Sequence, residues 1–405
     1  MKKFFRLLSV YFTFLSLLIL ISGLAAAYLT PDGITVSDDC TSCFPSFPLS
    51  INYDGAARTA GSDGISKAQG ELTLFGTVPV KKMEITFSDR PVVTVGGEPF
   101  GIRLYTEGLV VSGISAVPVR GGEKNPAADA GISVGDIILS VNGEKLTNNE
   151  QLMSAVESSG GNSIMLEYMH EGKTSSAAVV PATDSELHCY RIGLWVKDSL
   201  AGIGTVTFSG YPDGTFAGLG HGICDSESGS IMPLSQGDIV RADITSVTKG
   251  SGGHPGSLNG FFSSGSAVGT ISANAQCGLY GTIDKSYCKG ETLPLAFRQE
   301  VVRGKAVLRT TISGDTPQDY DIEIEDISYN NANITKNMII KITDERLLSA
   351  AGGIVQGMSG SPVIQNGRLV GAVTHVFIND PSHGYAIFAE NMANYNNTLI
   401  RKKTK

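Results

Sequence analysis

Charge is scarce in this sequence. Only 17% of its 405 residues are Asp, Glu, Lys or Arg, against 41% hydrophobic, a balance that excludes global disorder. The charge present is acidic, a net −8 at pH 7 with a pI near 5.3. A nucleic-acid surface leaves a basic excess or stripe, and none lies outside the two ends, so nucleic acid is excluded as a partner. Aromatic residues reach only 7% and long amphipathic helices are nearly absent, which argues against a helical bundle. Six cysteines fit no small disulfide scaffold at this length. The one Cys-x-x-Cys, Cys40 to Cys43, lacks a second pair at matching spacing. It therefore reads as a local disulfide or free thiols rather than a Cys-rich zinc site. Cys277 and Cys288 could bridge if their loop folds back, and Cys224 reads as a small core residue. No glycine cluster carries the Lys-Ser/Thr ending of a phosphate loop, and no metal or organic cofactor is required.

What the chain has in quantity is glycine, 49 residues, among short runs of Val, Ile and Thr, which points to turn-rich β structure in two or more domains. Residues 1–29 form a membrane anchor or uncleaved signal. Lys2, Lys3 and Arg6 precede an uncharged run from Leu7 to Leu29, long enough to span a bilayer, and the chain beyond Leu29 is expected outside the cytoplasm. Ala25 to Ala27 leave cleavage open. Residues 30–95 read as a tether followed, from Glu71, by a small β segment.

Residues 96–183 have their own punctuation. "NPAADAGISVGDIILSVNGEKL" gives a short helix, a Gly-Asp turn, a strand and an Asn-Gly hairpin. "NNEQLMSAVESS" then gives a helix with Leu152 and Val156 on one face, capped by Asn148 or Asn149. This order resembles a PDZ domain of the bacterial secreted-protease type. The resemblance implies that a peptide C-terminus or a segment of this chain adds as a strand, its carboxylate received by Phe100, Gly101 and Ile102 in "PFGIRL". Packing on the neighbouring domain, with no free peptide, is the other reading.

From residue 186 to 405 the texture is glycine-dense strands, with a Pro-Asp-Gly hairpin signal at Pro212 to Gly214 and an Asn366-Gly367 hairpin. In "GGIVQGMSGSPVIQNG", Ser359 is framed by glycines, so its hydroxyl can project while the amides of Gly357 and Ser359 point at one oxygen. Ser361 is the rival nucleophile. His221, at a strand end in "GLGHGI", is preferred as base over His170, His188, His254, His375 and His383; His375, on a strand, reads as structural. The carboxylate that would orient the base stays open among Asp344, Asp225, Asp243 and the alternating Asp319, Asp321, Glu323 and Glu325.

"GLGHGI", "KGSGGHPG", "KITDERLL", "GGIVQGMSGSPVIQNG" and "VGAVTHVFINDPSHGY", together with the PDZ segment and anchor, resemble the stage IV sporulation protein B family of serine endopeptidases. The resemblance implies catalytic His221, Asp344 and Ser359 and, through the chymotrypsin-like superfamily, a mainly β double-barrel peptidase domain. Met358 stands where many of that superfamily carry an aspartate, so activation by a new N-terminal amine is not expected. It further implies a protein substrate, the enzyme itself and a membrane-bound regulator of an intramembrane protease, cleaved between forespore and mother-cell membranes to activate a late sigma factor. A catalytically dead, peptide-sensing scaffold is the alternative.

Overall fold

The computed structural model describes residues 2–37, 48–53, 59–60, 66–211, 214–262, 266–329 and 332–403. The Cys40-x-x-Cys43 pair lies outside them.

Helix α1, Lys2–Leu29, carries an apolar window of mean hydropathy 2.3 with none of it buried against protein. Such a surface, uncharged from Leu7 to Leu29, suits lipid rather than water. Part of the expected tether is instead folded: strands Gly33–Val36, Leu49–Tyr53, Ser66–Leu74 and Val78–Phe87 make one small sheet. Its core is Ile34, Val36, Leu72, Met83 and Ile85, supplied by alternate positions of those strands.

Twelve strands then build two rings. The first uses β1 (Pro99–Ile114), β2 (Leu194–Ser209), β3 (Thr215–Gly218), β4 (Gln236–Thr248), β5 (Gly269–Ala275) and β6 (Gly278–Ile283). Pairings run β1 to β4, β5, β6, β3 and β2, and β2 pairs back onto β1, which closes the circle. Phe100, Ile102, Leu104, Val206, Phe216, Ile239 and Leu279 fill it. The second ring is β7 (Gly304–Thr310), β8 (Gln318–Ile327), β9 (Met338–Ile342), β10 (Pro362–Gln365), β11 (Arg368–Val376) and β12 (His383–Phe388), closed in the order β7, β8, β9, β12, β11, β10. Strand β8 shows why: Tyr320, Ile322 and Ile324 point inward while Asp319, Asp321, Glu323 and Glu325 alternate outward. Asn366 and Gly367, at φ 51° and 70°, make the tight β10–β11 hairpin. The molecule is therefore a double β-barrel, as the family resemblance implied.

Between β1 and β2 sits the inserted domain. Its helix α2, Asn149–Ser158, starts where the Asn148 side chain accepts the Gln151 N–H, and it buries Leu152 and Val156. The outer halves of β1 and β2 belong to this domain and their inner halves to the first barrel, so bounds at residues 96 and 186 give all of β1 to one domain and all of β2 to the other although each strand serves both. Cys277 and Cys288 are free and buried in different core clusters, and Cys224 is a free, exposed thiol; neither the bridge nor the core reading holds.

Candidate active site

Ser359 lies on a turn held from both barrels. Helix α3, Glu345–Ala351, ends at Gly352 in the left-handed conformation, and the chain passes buried Ile354 and Val355 before pairing Gln356 with Gly256 and Leu258. Met358 is fully buried in the second barrel core and pins the turn from beneath. From the first barrel, Thr205 on β2 donates its N–H to the Ser359 carbonyl (3.0 Å) and its hydroxyl to the Gly357 carbonyl (2.9 Å). Thr207 donates to the Gly360 carbonyl at 2.7 Å. From the second, the Val373 carbonyl on β11 accepts the Gly360 N–H at 2.8 Å. Gly357 has φ 98° and Gly360 φ 92°, and a Cβ at Gly360 would overlap the Thr205 carbonyl.

With every carbonyl of the turn occupied, its amides are what remain. Among the described residues, the N–H groups of Gly357 and Ser359 have no acceptor, while those of Met358, Gly360 and Ser361 do. Two unpaired amides flanking a projecting hydroxyl are the donor set an oxyanion requires.

His221 follows β3 through a left-handed turn at Leu219 and Gly220. Its Nε2 stands 3.0 Å from Ser359 Oγ, although the residues are 138 apart in sequence. The Nδ1 lies 2.8 Å from the Gly222 carbonyl, which can only accept, so Nδ1 carries the proton and Nε2 is the free base. Burial pushes the imidazole below its ordinary pKa, an effect the Gly222 bond partly offsets. The base is thus neutral at pH 7. The Ser359 hydroxyl also has the Thr374 carbonyl on β11 within 3.1 Å, so its single proton is shared between two acceptors. Asn274 on β5 fixes the loop after His221, accepting the Ile223 N–H and donating to the carbonyls of Ile223 and Met232.

Three expectations need correction. Asp344 is not brought to His221. It is the N-cap of α3, and its carboxylate is consumed by the Arg346 guanidinium (2.7 and 3.0 Å) and by the amides of Arg346 and Asp321. Arg346 holds it well below the usual carboxylate range. Asp225 pairs with Lys197, Asp319 with Arg309, and among the described residues no carboxylate hydrogen-bonds His221. Ser361 is fully buried and donates to Thr310, so it is not a rival nucleophile.

Phe100, Gly101 and Ile102 form no carboxylate loop. They sit inside β1, paired with Gly204, Ile203 and Gly202 of β2 on one side and with Arg241, Val240 and Ile239 of β4 on the other, with Phe100 and Ile102 in the core. Backbone already bonded on both sides cannot receive a peptide. The groove of the inserted domain lies elsewhere: a depression of about 490 Å³ between Leu152, Met153 and Val156 of α2 and Ile192, just ahead of β2, with Leu194 and Trp195 at its start. There β2 pairs with β1 along one edge, and among the described residues no strand covers its other.

Among the described residues no group of three or more His, Cys, Asp or Glu could hold a metal ion. Sequence reasoning missed Thr205, Asn274 and Thr374, whose types and positions carry no local signal.

A family model described as SpoIVB peptidase S55 matches residues 188–393, half of the chain, and a PDZ domain model matches residues 103–180. Among solved structures, the PDZ domain of an SdrC-like protein from Listeria monocytogenes is 22% identical, covering 23% of this chain and 90% of that one at a TM-score of 0.19. Its counterpart from Listeria innocua is 17% identical, covering 22% and 92% at 0.19. The HtrA-type protease AlgW with decapeptide is 13% identical, covering 50% of this chain and 54% of that one at 0.30.

Proposed function

This chain belongs to the SpoIVB peptidase S55 family, serine peptidases with a PDZ domain, and from that premise we propose that it is a membrane-anchored endopeptidase of sporulation signalling. Its targets are itself and a membrane-bound regulator of an intramembrane protease, which it cleaves in the space between forespore and mother-cell membranes, leading to late sigma-factor activation. The observation that carries the chemistry is the 3.0 Å approach of His221 Nε2 to Ser359 Oγ beside two unpaired amides.

The steps follow from those atoms. Ser359 Oγ attacks the scissile carbonyl carbon while its proton passes to His221 Nε2. Charge gathering on the carbonyl oxygen is met by the Gly357 and Ser359 amides. The same Nε2 proton then goes to the departing amine, leaving an acyl-enzyme that a water, activated by Nε2, hydrolyses. His375 pairs with Tyr385, so the N–H and C=O of the next residue, Val376, face the opposite edge of β11, in line with the Thr374 carbonyl beside Ser359. An extended substrate strand adding there would lay its carbonyl across the turn. The α2–β2 groove, open along one strand edge, supports capture of a peptide C-terminus at the inserted domain. The 27-residue apolar helix with basic residues at its start supports anchoring with the barrels outside the cytoplasm.

The test is a time course of the full-length chain in detergent, alone and with the membrane-bound regulator, beside its Ser359→Ala counterpart. Fragments of both proteins in the parent alone are expected; equal cleavage by both chains, or an uncut regulator, would overturn the assignment.

A further inference from the structure

Among the described residues His221 lacks a carboxylate partner, yet a single hydrogen bond to a carbonyl leaves an imidazole free to rock about that bond and swing Nε2 away from Ser359. Something else must fix the plane of the ring. We propose that His375 is the positioning residue for the base, its ring laid against the face of His221 in place of the missing third member. This rests on the serine-peptidase reading above.

The two ring centroids are 4.9 Å apart and the planes tilted by 34°, within the range of offset aromatic contact. His375 is not an incidental neighbour. It follows Thr374, whose carbonyl takes the Ser359 hydroxyl, so one dipeptide of β11 touches both members of the dyad. Thr374 is in turn fixed by its own hydroxyl, whose single proton lies between the carbonyls of Thr335 (2.8 Å) and Tyr385 (3.2 Å). His375 itself is registered against Tyr385 on β12. The ring is therefore presented by a strand locked on the barrel, not by a loop.

Its charge state suits the task. His375 is exposed on its outer side, and desolvation of the face it turns to His221, together with His221 itself and Lys336, pushes its imidazole down to about 4, so it is neutral when His221 takes up a proton. A neutral ring face tolerates an imidazolium beside it, where a second cation would repel it. The other groups near the pair are Ser359 on the turn, the Cys224 thiol, 3.8 Å from the Gly222 carbonyl that holds His221, and the Lys336 ammonium, which lies over the Tyr385 ring and acts on His375.

The test needs no knowledge of the natural substrate. A fluorophosphonate probe is added to the full-length chain, and the second-order rate of labelling is followed from pH 5 to 9. Ser359 Oγ attacks phosphorus, fluoride leaves, and the hydroxyl proton goes to His221, so the rate rises as His221 loses its proton. His375→Ala removes the face and admits water; labelling is expected to fall on the order of tenfold, and the rising limb to move to higher pH because burial no longer depresses His221. His375→Phe keeps a flat ring without nitrogens and should label within about twofold of the parent with its midpoint unmoved. His375→Leu, which fills the volume without a flat face, should lose labelling rate as His375→Ala does but keep its midpoint near the parent's, and its rate replaces that of His375→Ala if that chain fails to fold, as judged by its thermal transition. Parent-like labelling by His375→Ala or His375→Leu, or a loss in His375→Phe as large as theirs, would overturn the proposal. Absence of Ser359-dependent labelling in the parent would instead remove the serine-peptidase reading beneath it.

Discussion

Gly357→Ala separates the backbone requirement of the oxyanion turn from its packing. At φ 98° the residue lies where an L side chain is strained, and the added Cβ would stand 3.0 Å from Leu258 Cβ and 3.1 Å from its Cδ1 and Cγ. An L-residue held in such a region costs about 1–3 kcal/mol, which lowers the thermal transition by several degrees. The turn cannot relax elsewhere, because Thr205 and Val373 clamp its other side, so relief comes by rotating the Gly357 peptide. That rotation withdraws one of the two unpaired N–H donors, and loss of one oxyanion donor costs about 10²- to 10³-fold in turnover. The assay is single-turnover acylation beside thermal unfolding, run as a double-mutant cycle with Leu258→Ala. Leu258→Ala removes the Cγ and Cδ1 contacts while leaving the one to Cβ, and does not touch the torsion, so partial coupling should appear in stability and be absent from the acylation rate. A Gly357→Ala chain that acylates as fast as the parent would refute the assignment of this amide.

Three other perturbations report on separate features. Asp344→Ala removes both the Arg346 ion pair and the α3 cap, and should cost about 1 kcal/mol in unfolding while leaving the pH midpoint of fluorophosphonate labelling in place. Because the folded pKa of Asp344 is depressed, its stabilisation is present above the ordinary carboxylate value and fades as pH falls below it; a collapse of turnover with unchanged stability would instead restore it as the orienting carboxylate. Glu98 is buried with Oε2 unpartnered and its pKa raised by desolvation, so it favours the folded state only while protonated. Glu98→Gln should therefore raise the melting temperature at pH 7, with the gain vanishing toward pH 4, and no gain at pH 7 would contradict the burial argument. Trp195, the single tryptophan of the chain, lines the α2–β2 groove while exposed, so a bound peptide with an apolar C-terminus should shift its emission to the blue; an unaltered spectrum at saturating peptide would place binding elsewhere.

How much of this was legible in the sequence follows from what is local. Ser359 and Gly357 stood out because a projecting hydroxyl with free amides demands glycines at fixed offsets, and that demand is written within four residues. Strand β8 was legible for the same reason, its alternation being a property of one pleated segment. Thr205 and His375 were not, since their value arises from pairing with residues far away in the chain. The carboxylate-loop reading of "PFGIRL" failed because a Gly between apolar residues suits a barrel strand as well as a loop, and only the partners β2 and β4 decide. Asp344 ended a β-type run before the serine turn, yet an aspartate immediately ahead of a helix spends its oxygens on that helix.

Strands β1 and β2 pair from the first barrel outward, with Tyr105 opposite Ser199 before the inserted domain begins. Topologically that whole domain is the tip of a hairpin. A fragment beginning at residue 186 would lack β1 and leave the edges of β2 and β4 open, so it should aggregate rather than report on catalysis. Excision at the hairpin, joining Tyr105 to Ser199 through a short turn, would keep all six staves of the ring, and the peptide-binding module could be exchanged there like a blade on a fixed handle.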